Sequence, residues 1–368
     1  MGDVADHFEY GLNASAIEYD GKNKYLRITD IDDSSRKFIQ NKLTSPNINV
    51  EEASNYILTV GDILFARTGA SVGKTYRYDI KDGKVYFAGF LIRARIKDSF
   101  DSEFVYWTTL TDRYNTFIKI MSQRSGQPGI NAKEYSSFNI LIPNIKEQQK
   151  IGEFFSKLDR QIELEEQKLE LLQQQKKGYM QKIFSQELRF KDENGEDYSE
   201  WEERRFADIF KFHNKLRKPI KENLRVKGSY PYYGATGIID YVDDFIFDGN
   251  YLLIGEDGAN IITRSAPLVY LVNGKFWVNN HAHILSPLNG NIQYLYQVAE
   301  LVNYEKYNTG TAQPKLNIQN LKIINVVIST NLEEQQKIGS FLSKLDRQID
   351  LEEQKLELLQ QRKKALLK

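Results

Sequence analysis

The 368 residues include 50 basic and 50 acidic side chains, so the formal net charge is zero and no global field draws the chain to nucleic acid or an anionic membrane. With no cysteine, a disulfide framework and a thiolate metal site are excluded, which suits a reducing compartment. The opening MGDVADHFEY lacks the segments of a signal peptide and no run approaches the ~18 apolar residues of a membrane span, so a cytoplasmic, membrane-free protein with room for two domains is expected.

Short β-type runs at Lys24–Thr29, Ile57–Ala66 and Val85–Ile96 precede an amphipathic helix over Ser102–Ile120, with Asp101 as its N-cap. A polar, glycine-containing loop and a strand at Phe138–Ile142 follow. A helix from about Lys146 to Leu188 comes next, roughly 60 Å long at 1.5 Å per residue. The second half repeats the order, with strands at Tyr251–Ile254, Pro267–Val272 and Phe276–Leu285, a helix at Ile292–Val302 and a last strand at Lys322–Ile328. The expected architecture is two α/β (α+β) domains, each followed by a long helix, the two helices forming an antiparallel coiled coil. The boundaries fall at 1–145, 146–189, 190–332 and 333–368.

The helices carry the strongest signal. Glu147–Lys177 and Glu334–Lys364 differ only at Glu153/Ser340, Phe155/Leu342, Glu163/Asp350 and Gln175/Arg362. Ile151, Phe155, Leu158, Ile162, Leu169, Leu172, Tyr179 and Ile183 form a heptad seam, with Glu165 and Lys176 in its two polar slots. The second copy repeats it through Leu356 and Leu359, with Glu352 and Lys363 in the slots. An antiparallel register in which paired residue numbers sum to 528 sets Glu165 against Lys363 and Lys176 against Glu352. It also stacks Leu169 on Leu359 and Leu172 on Leu356, with the charges fixing register more than stabilising it.

Two local echoes reinforce the duplication. Gly61-Asp-Ile-Leu-Phe-Ala-Arg-Thr-Gly69-Ala parallels Gly249-Asn-Tyr-Leu-Leu-Ile-Gly-Glu-Asp-Gly258-Ala, and Gln127-Pro-Gly-Ile-Asn131 parallels Gln313-Pro-Lys-Leu-Asn317. Elsewhere the two units diverge far more than the helices. Each also carries a basic window, Arg67–Lys97 and Arg204–Lys227. Tyr76, Tyr78, Tyr230, Tyr232 and Tyr233 lie nearby to pack on sugars or bases.

Catalytic signatures are missing. Gly69-Ala-Ser-Val-Gly73-Lys74-Thr75 is one residue short of a phosphate-binding P-loop. His281 and His283 would share a strand face, but no third metal ligand accompanies them. No nucleophile–base set and no loop suited to S-adenosylmethionine stands out, so the chain is expected to hold no cofactor, bind no metal and catalyse nothing itself.

Together these features resemble the specificity subunits of type I DNA restriction–modification systems. The resemblance rests on Glu147-Gln-Gln-Lys-Ile-Gly-Glu-Phe-Phe-Ser-Lys-Leu-Asp159 and its copy Glu334–Asp346. Gly61-Asp-Ile-Leu with Gly69–Lys74, Tyr233-Gly-Ala-Thr-Gly237 and the two Gln-Pro segments support it, and it covers essentially the whole chain. It implies two target recognition domains, each reading half of a bipartite site in double-stranded DNA. It further implies that the helices set the spacer and dock two methyltransferase subunits, which hold S-adenosylmethionine and flip out an adenine for N6 methylation. Motor–nuclease subunits can join that complex. By position, the implied DNA contacts are Arg67, Thr68, Ser71, Lys74, Arg124 and Gln127 in the first domain. In the second they are Tyr233, Thr236, Asn260, Arg264, Gln313 and Lys315. The chain departs from the family pattern in that the counterpart of Leu188–Arg205 is absent from the first half. The competing reading is a non-catalytic coiled-coil scaffold without DNA specificity.

Overall fold

A computed structural model describes residues 1–49, 53–123, 126–310 and 312–368. Met1–Gln167 with Gln354–Lys368 forms one compact unit, and Lys168–Glu353 forms the second.

The first unit is built on a four-stranded antiparallel sheet in the spatial order Ala5–Tyr10, Leu91–Ile96, Asp62–Ala66, Thr75–Arg77. Asp62–Ala66 is buried along its whole length, and its alternation explains how. Ile63 and Phe65 point into a core shared with the following helices, while Leu64 and Ala66 point into a second apolar cluster. The run Val85–Ile96 forms two strands, not one: Val85–Phe87 pairs in parallel with Lys24–Leu26, and Leu91–Ile96 joins the main sheet. The amphipathic stretch Ser102–Ile120 likewise divides into helices Ser102–Thr108 and Asp112–Met121, because Thr111 caps the second as Asp101 caps the first.

The second unit has a six-stranded sheet in the order Phe210–Phe212, Ala282–Pro287, Phe247–Gly255, Val269–Val278, Lys227–Gly234, Gly237–Val242. All neighbours are antiparallel except Val269–Val278 with Lys227–Gly234. Asn325–Ile328 pairs separately with Glu202–Arg205. That pairing explains a difference from expectation in the first unit, where Phe138–Ile142 is not a strand. Among the described residues of that unit no strand pairs with this run, whose Phe138 carbonyl accepts from the Met1 amino group instead.

The long helices span Ile145–Phe184 and Leu332–Leu366. Their seam is the one the heptads predict: Glu165, Leu169, Leu172 and Lys176 are half-buried, as are Glu352, Leu356, Leu359 and Lys363. The 528 register is not adopted. In the first unit Glu165 meets Lys355 at 2.6 Å and Asp159 meets Lys363 at 2.6 Å. In the second, Glu352 takes Lys168 and Asp346 takes Lys176. These contacts run antiparallel but lie about one heptad from the expected pairing. In the observed register every seam charge has a partner that flanks the seam of the other helix.

The first turns of the repeat do a different job. Gln148 and Gln335 are buried. The Gln148 side chain accepts from the Asp101 backbone N–H at 3.0 Å and donates to the Pro143 carbonyl at 2.8 Å. Gln335 likewise accepts from the Asn291 N–H at 2.8 Å and donates to the Ser329 carbonyl at 2.7 Å. One turn on, Gly152 and Gly339 leave room for the same helix N-termini. A Cβ on Gly152 would lie 2.7 Å from Asp101 Oδ1, and one on Gly339 would lie 2.5 Å from Asn291 Oδ1. The Gln-x-x-x-Gly spacing therefore seats each domain's own helix on the long helix that follows it.

Candidate nucleic-acid interface

The two sequence echoes prove to be parts of one structure. In the first unit the Gly69 N–H donates to the Pro128 carbonyl at 3.0 Å, and the Ile130 N–H donates to the Arg67 carbonyl at 2.9 Å. In the second unit Gly258 donates to Pro314 at 3.0 Å, and Leu316 donates to Glu256 at 2.7 Å. Thr68 bridges Gly129, and Asp257 bridges Lys315. Gly69 and Gly258 hold φ of +68° and +109°, the left-handed region that a glycine tolerates, where each glycine loop turns beneath the Gln-Pro loop. Asn131 and Asn317 then cap the short helices Ala132–Ser136 and Ile318–Lys322. Each domain thus ends its central strand in the same crossing of two loops.

The crossing gathers Arg67, Thr68, Ser71 and Gln127 in the first unit, and Gln313 and Lys315 in the second. Arg67 lies with its guanidinium carbon 5.0 Å from the centre of the Tyr10 ring and 5.8 Å from that of Phe90. Both rings are exposed, and the Arg67 Nε is buried without a hydrogen-bond partner. These groups line a cleft of about 670 Å³ together with Asn13, Arg27 and Thr29. Arg27 is already engaged by Asp30 at 2.8 Å. Gln313 is exposed, and the exposed Lys315 sits 3.5 Å from Glu256.

Other expected contacts lie elsewhere. Lys74 is buried, donating to the Ile31 carbonyl at 3.1 Å and pairing with Asp33 at 2.5 Å. It therefore braces a loop and offers no charge to a phosphate, whether of DNA or of a nucleotide. Asn260 is buried too. Its side chain donates to the Ala266 and Pro267 carbonyls and accepts from the Ala266 N–H, tying the loop to itself. Arg264 is held by Glu300 at 2.6 Å. Tyr233 packs edge-on against Phe276, and Thr236 is exposed in the turn between Lys227–Gly234 and Gly237–Val242. Arg124 lies outside the described residues.

The basic windows thin out in the same way. In the first, Lys74, Arg77, Arg93 and Arg95 are all ion-paired within the unit. Tyr76 and Tyr78 are buried, Tyr76 donating to Asp82, and Tyr232 is buried in the second unit. These rings alternate inward on their strands, which a count of nearby aromatics does not reveal. In the second window Lys211, Lys215, Lys218, Lys221 and Lys227 remain exposed, and no ion pair engages them among the described residues. Tyr10 and Phe90 are not among the contacts expected from the sequence. Tyr10 ends a strand that its sequence did not announce, and Phe90 sits at the break in a presumed single strand.

His281 and His283 have separate fates. His281 is exposed, with Nδ1 2.8 Å from Asp257 Oδ2. A carboxylate only accepts, so Nδ1 carries a proton toward Asp257, and in the neutral form of such a ring Nε2 presents the lone pair. His283 is 1% exposed; its Nδ1 accepts from Asn214, and its Nε2 donates to the Leu316 carbonyl at 2.8 Å. Burial pushes its pKa down to about 4, against the partial opposition of the Leu316 bond and Glu256. Among the described residues no group of three His, Cys, Asp or Glu is placed to hold a metal ion.

The buried imidazole makes the second loop crossing acid-sensitive. Its folded pKa is depressed from 6.5, so its stabilisation is complete above about pH 6.5 and lost as pH falls towards 4. The loss is on the order of 3 kcal/mol. Urea unfolding between pH 7.5 and 4.5 should show a steeper decline for the wild type than for His283→Gln. Equal slopes would contradict the assignment.

Comparison with known proteins places these observations. The family profile described as type I restriction modification DNA specificity domain matches residues 3–174 and again 198–361. A putative type I restriction enzyme specificity subunit of Haemophilus influenzae is 34% identical over 131 residues, covering 35% of this chain and 34% of that protein. The EcoprrI specificity subunit of Escherichia coli is 31% identical over 118 residues, 32% of this chain and 28% of that protein. The chain thus covers about a third of the length of these curated relatives. Among solved structures, the S subunit of a type I restriction–modification system from M. genitalium superposes over 100% of this chain and 93% of that one. The TM-score is 0.72 at 18% identity, a likeness of fold. No helix among the described residues is long and apolar enough to cross a membrane.

Proposed function

Because the chain belongs to the family of type I restriction–modification DNA specificity proteins, we propose that it is the DNA-reading subunit of such a complex, acting in the cytoplasm. Each domain reads one half of a bipartite duplex target through its loop crossing, and the helices set the number of unread base pairs between the halves. The chain contributes recognition; the chemistry belongs to two adenine-N6 methyltransferase subunits holding S-adenosylmethionine, with motor–nuclease subunits as further partners.

The observation that carries this reading is a contrast between shared and divergent parts. The loop crossing keeps its backbone hydrogen bonds in both units while its side chains differ. The long helices keep even side chains that their own packing does not require. Leu164 and Leu171 are 47% and 61% exposed one heptad apart, and their counterparts Leu351 and Leu358 are 54% and 66% exposed. Two identical solvent-facing leucine pairs suit two copies of one protein partner.

The test is to express the chain with its genomic methyltransferase partner in a host free of DNA methylation and to map modified adenines. A split motif with a fixed gap, absent without this chain, is expected. Modification that is unselective, or unchanged by omitting the chain, would favour the scaffold reading. Changing Leu164, Leu171, Leu351 and Leu358 together to glutamine should abolish co-purification with the methyltransferase while leaving helix content unchanged. Retained co-purification would place the partner elsewhere.

A further inference from the structure

The loop crossing can be superimposed residue by residue on itself, because the same backbone bonds recur. The Arg67 N–H donates to the Phe90 carbonyl at 3.0 Å, and the Glu256 N–H donates to the His281 carbonyl at 2.8 Å. Ala66 pairs with Leu91, and Gly255 with Ala282, one step earlier on each strand. Arg67 therefore corresponds to Glu256, and Phe90 to His281. Around this fixed frame the chemistry is exchanged. The first unit holds a cation between two exposed aromatic rings. The second holds a carboxylate engaged by Arg217 at 2.5 Å, beside an exposed imidazole oriented by Asp257.

We propose that this bonded pair of positions, Arg67 with Phe90 and Glu256 with His281, fixes base identity in each unit, with Arg67 reading guanine in the first half-site and His281 reading an exocyclic amino group in the second. The inference rests on the duplex-DNA reading above and narrows it to two side chains. Arg67 qualifies on three counts. No carboxylate engages it among the described residues, its Nε lacks a partner, and it opens into a cleft whose Tyr10 and Phe90 walls hold the guanidinium plane. A planar fork so held matches the paired O6 and N7 acceptors of guanine in the major groove. The rings also shed the water that would compete for those donors. In the second unit Arg217 is consumed by Glu256, whose carboxyl lies below its ordinary value. Burial works to raise it, and the Arg217 hydrogen bond with the neighbouring positive charges outweighs that effect. Of the pair that matches Arg67 and Phe90, that leaves His281 as the exposed directional group. Its Nε2 lone pair accepts from the N6 amino group of adenine or the N4 amino group of cytosine.

The experiment compares the methylome of the full complex for the wild type, Arg67→Lys, Arg67→Ala and His281→Ala. Thermal unfolding of each complex checks that it is assembled. Both Arg67 variants should lose discrimination at one base pair of one half-site, about tenfold to a hundredfold, with the other half-site unchanged. His281→Ala should do the same at one position of the opposite half-site. A lysine cannot reproduce the fork, so failure of rescue by Arg67→Lys is part of the expectation. An unchanged motif in Arg67→Ala, or a uniform fall in modification rescued by lysine, would make Arg67 a phosphate contact and overturn the inference while leaving the DNA reading intact. A wild-type complex that marks no sequence would instead sink the DNA reading itself.

Discussion

Arg189→Met is expected to destabilise the second unit by about 3–5 kcal/mol, the range found when a buried ion pair loses one partner. Glu334 is fully buried, and its carboxylate accepts from Arg189 Nη2 at 3.2 Å and from Trp201 Nε1 at 3.0 Å. Arg189 also donates to the Tyr198 and Ser199 carbonyls, stapling the segment after the first long helix onto the start of the second. Methionine fills similar space but leaves a charge with only an indole N–H to face. Denaturant unfolding followed by Trp201 fluorescence, with Trp107 and Trp277 changed to Phe, measures the loss. Glu147, the counterpart of Glu334, is exposed in the first unit. Its change to alanine should therefore stay within about 0.5 kcal/mol. A small effect of Arg189→Met would mean that the carboxylate is not enclosed as described.

Gln335→Leu is expected to cost about 2–6 kcal/mol, because it leaves the Asn291 N–H and the Ser329 carbonyl without partners at about 1–3 kcal/mol each. The shapes are close enough that packing alone would suffer little. The helix Ile292–Glu300 should then lose hydrogen-exchange protection before the sheet does. Gln148→Leu should act on Ser102–Thr108 in the first unit in the same manner. If both variants exchanged as slowly as the wild type, the glutamine bridge would be incidental.

Much of this was legible in the chain, and the misses share a cause. Heptad spacing names the seam residues because it depends only on neighbours along one helix. It does not name the register, since antiparallel pairings a heptad apart bury the same faces. The flanking partners Asp159, Lys168, Asp346 and Lys355, which lie off the heptad seam, mark the one adopted. Lys74, Arg93 and Arg95 illustrate a second limit. A window rich in cations reads as a phosphate-binding surface until the fold brings Asp33, Glu9 and Asp62 against it. The two echoes were visible as separate patterns. That they hydrogen-bond to each other is a long-range fact, with about sixty residues between Arg67 and Ile130, that periodicity does not carry.

The charged contacts along the seam also bear on how the repeat can change. Asp159–Lys363 and Lys176–Asp346 are one contact written twice, as are Glu165–Lys355 and Lys168–Glu352. Gln173 with Glu353 and Gln360 with Glu166 make a third such set. Each copy of the helix supplies one half of every contact and reads the other half from its twin. Two identical copies are therefore complementary without further adjustment, whereas a change at one of these positions in a single copy is mismatched at once. The four places where the copies differ all avoid these pairs. Phe155 stacks on Trp107 and Glu163 meets Lys37, so those sites answer to their own domain. The helix is free to vary where it faces a unique neighbour and held constant where it faces its own image.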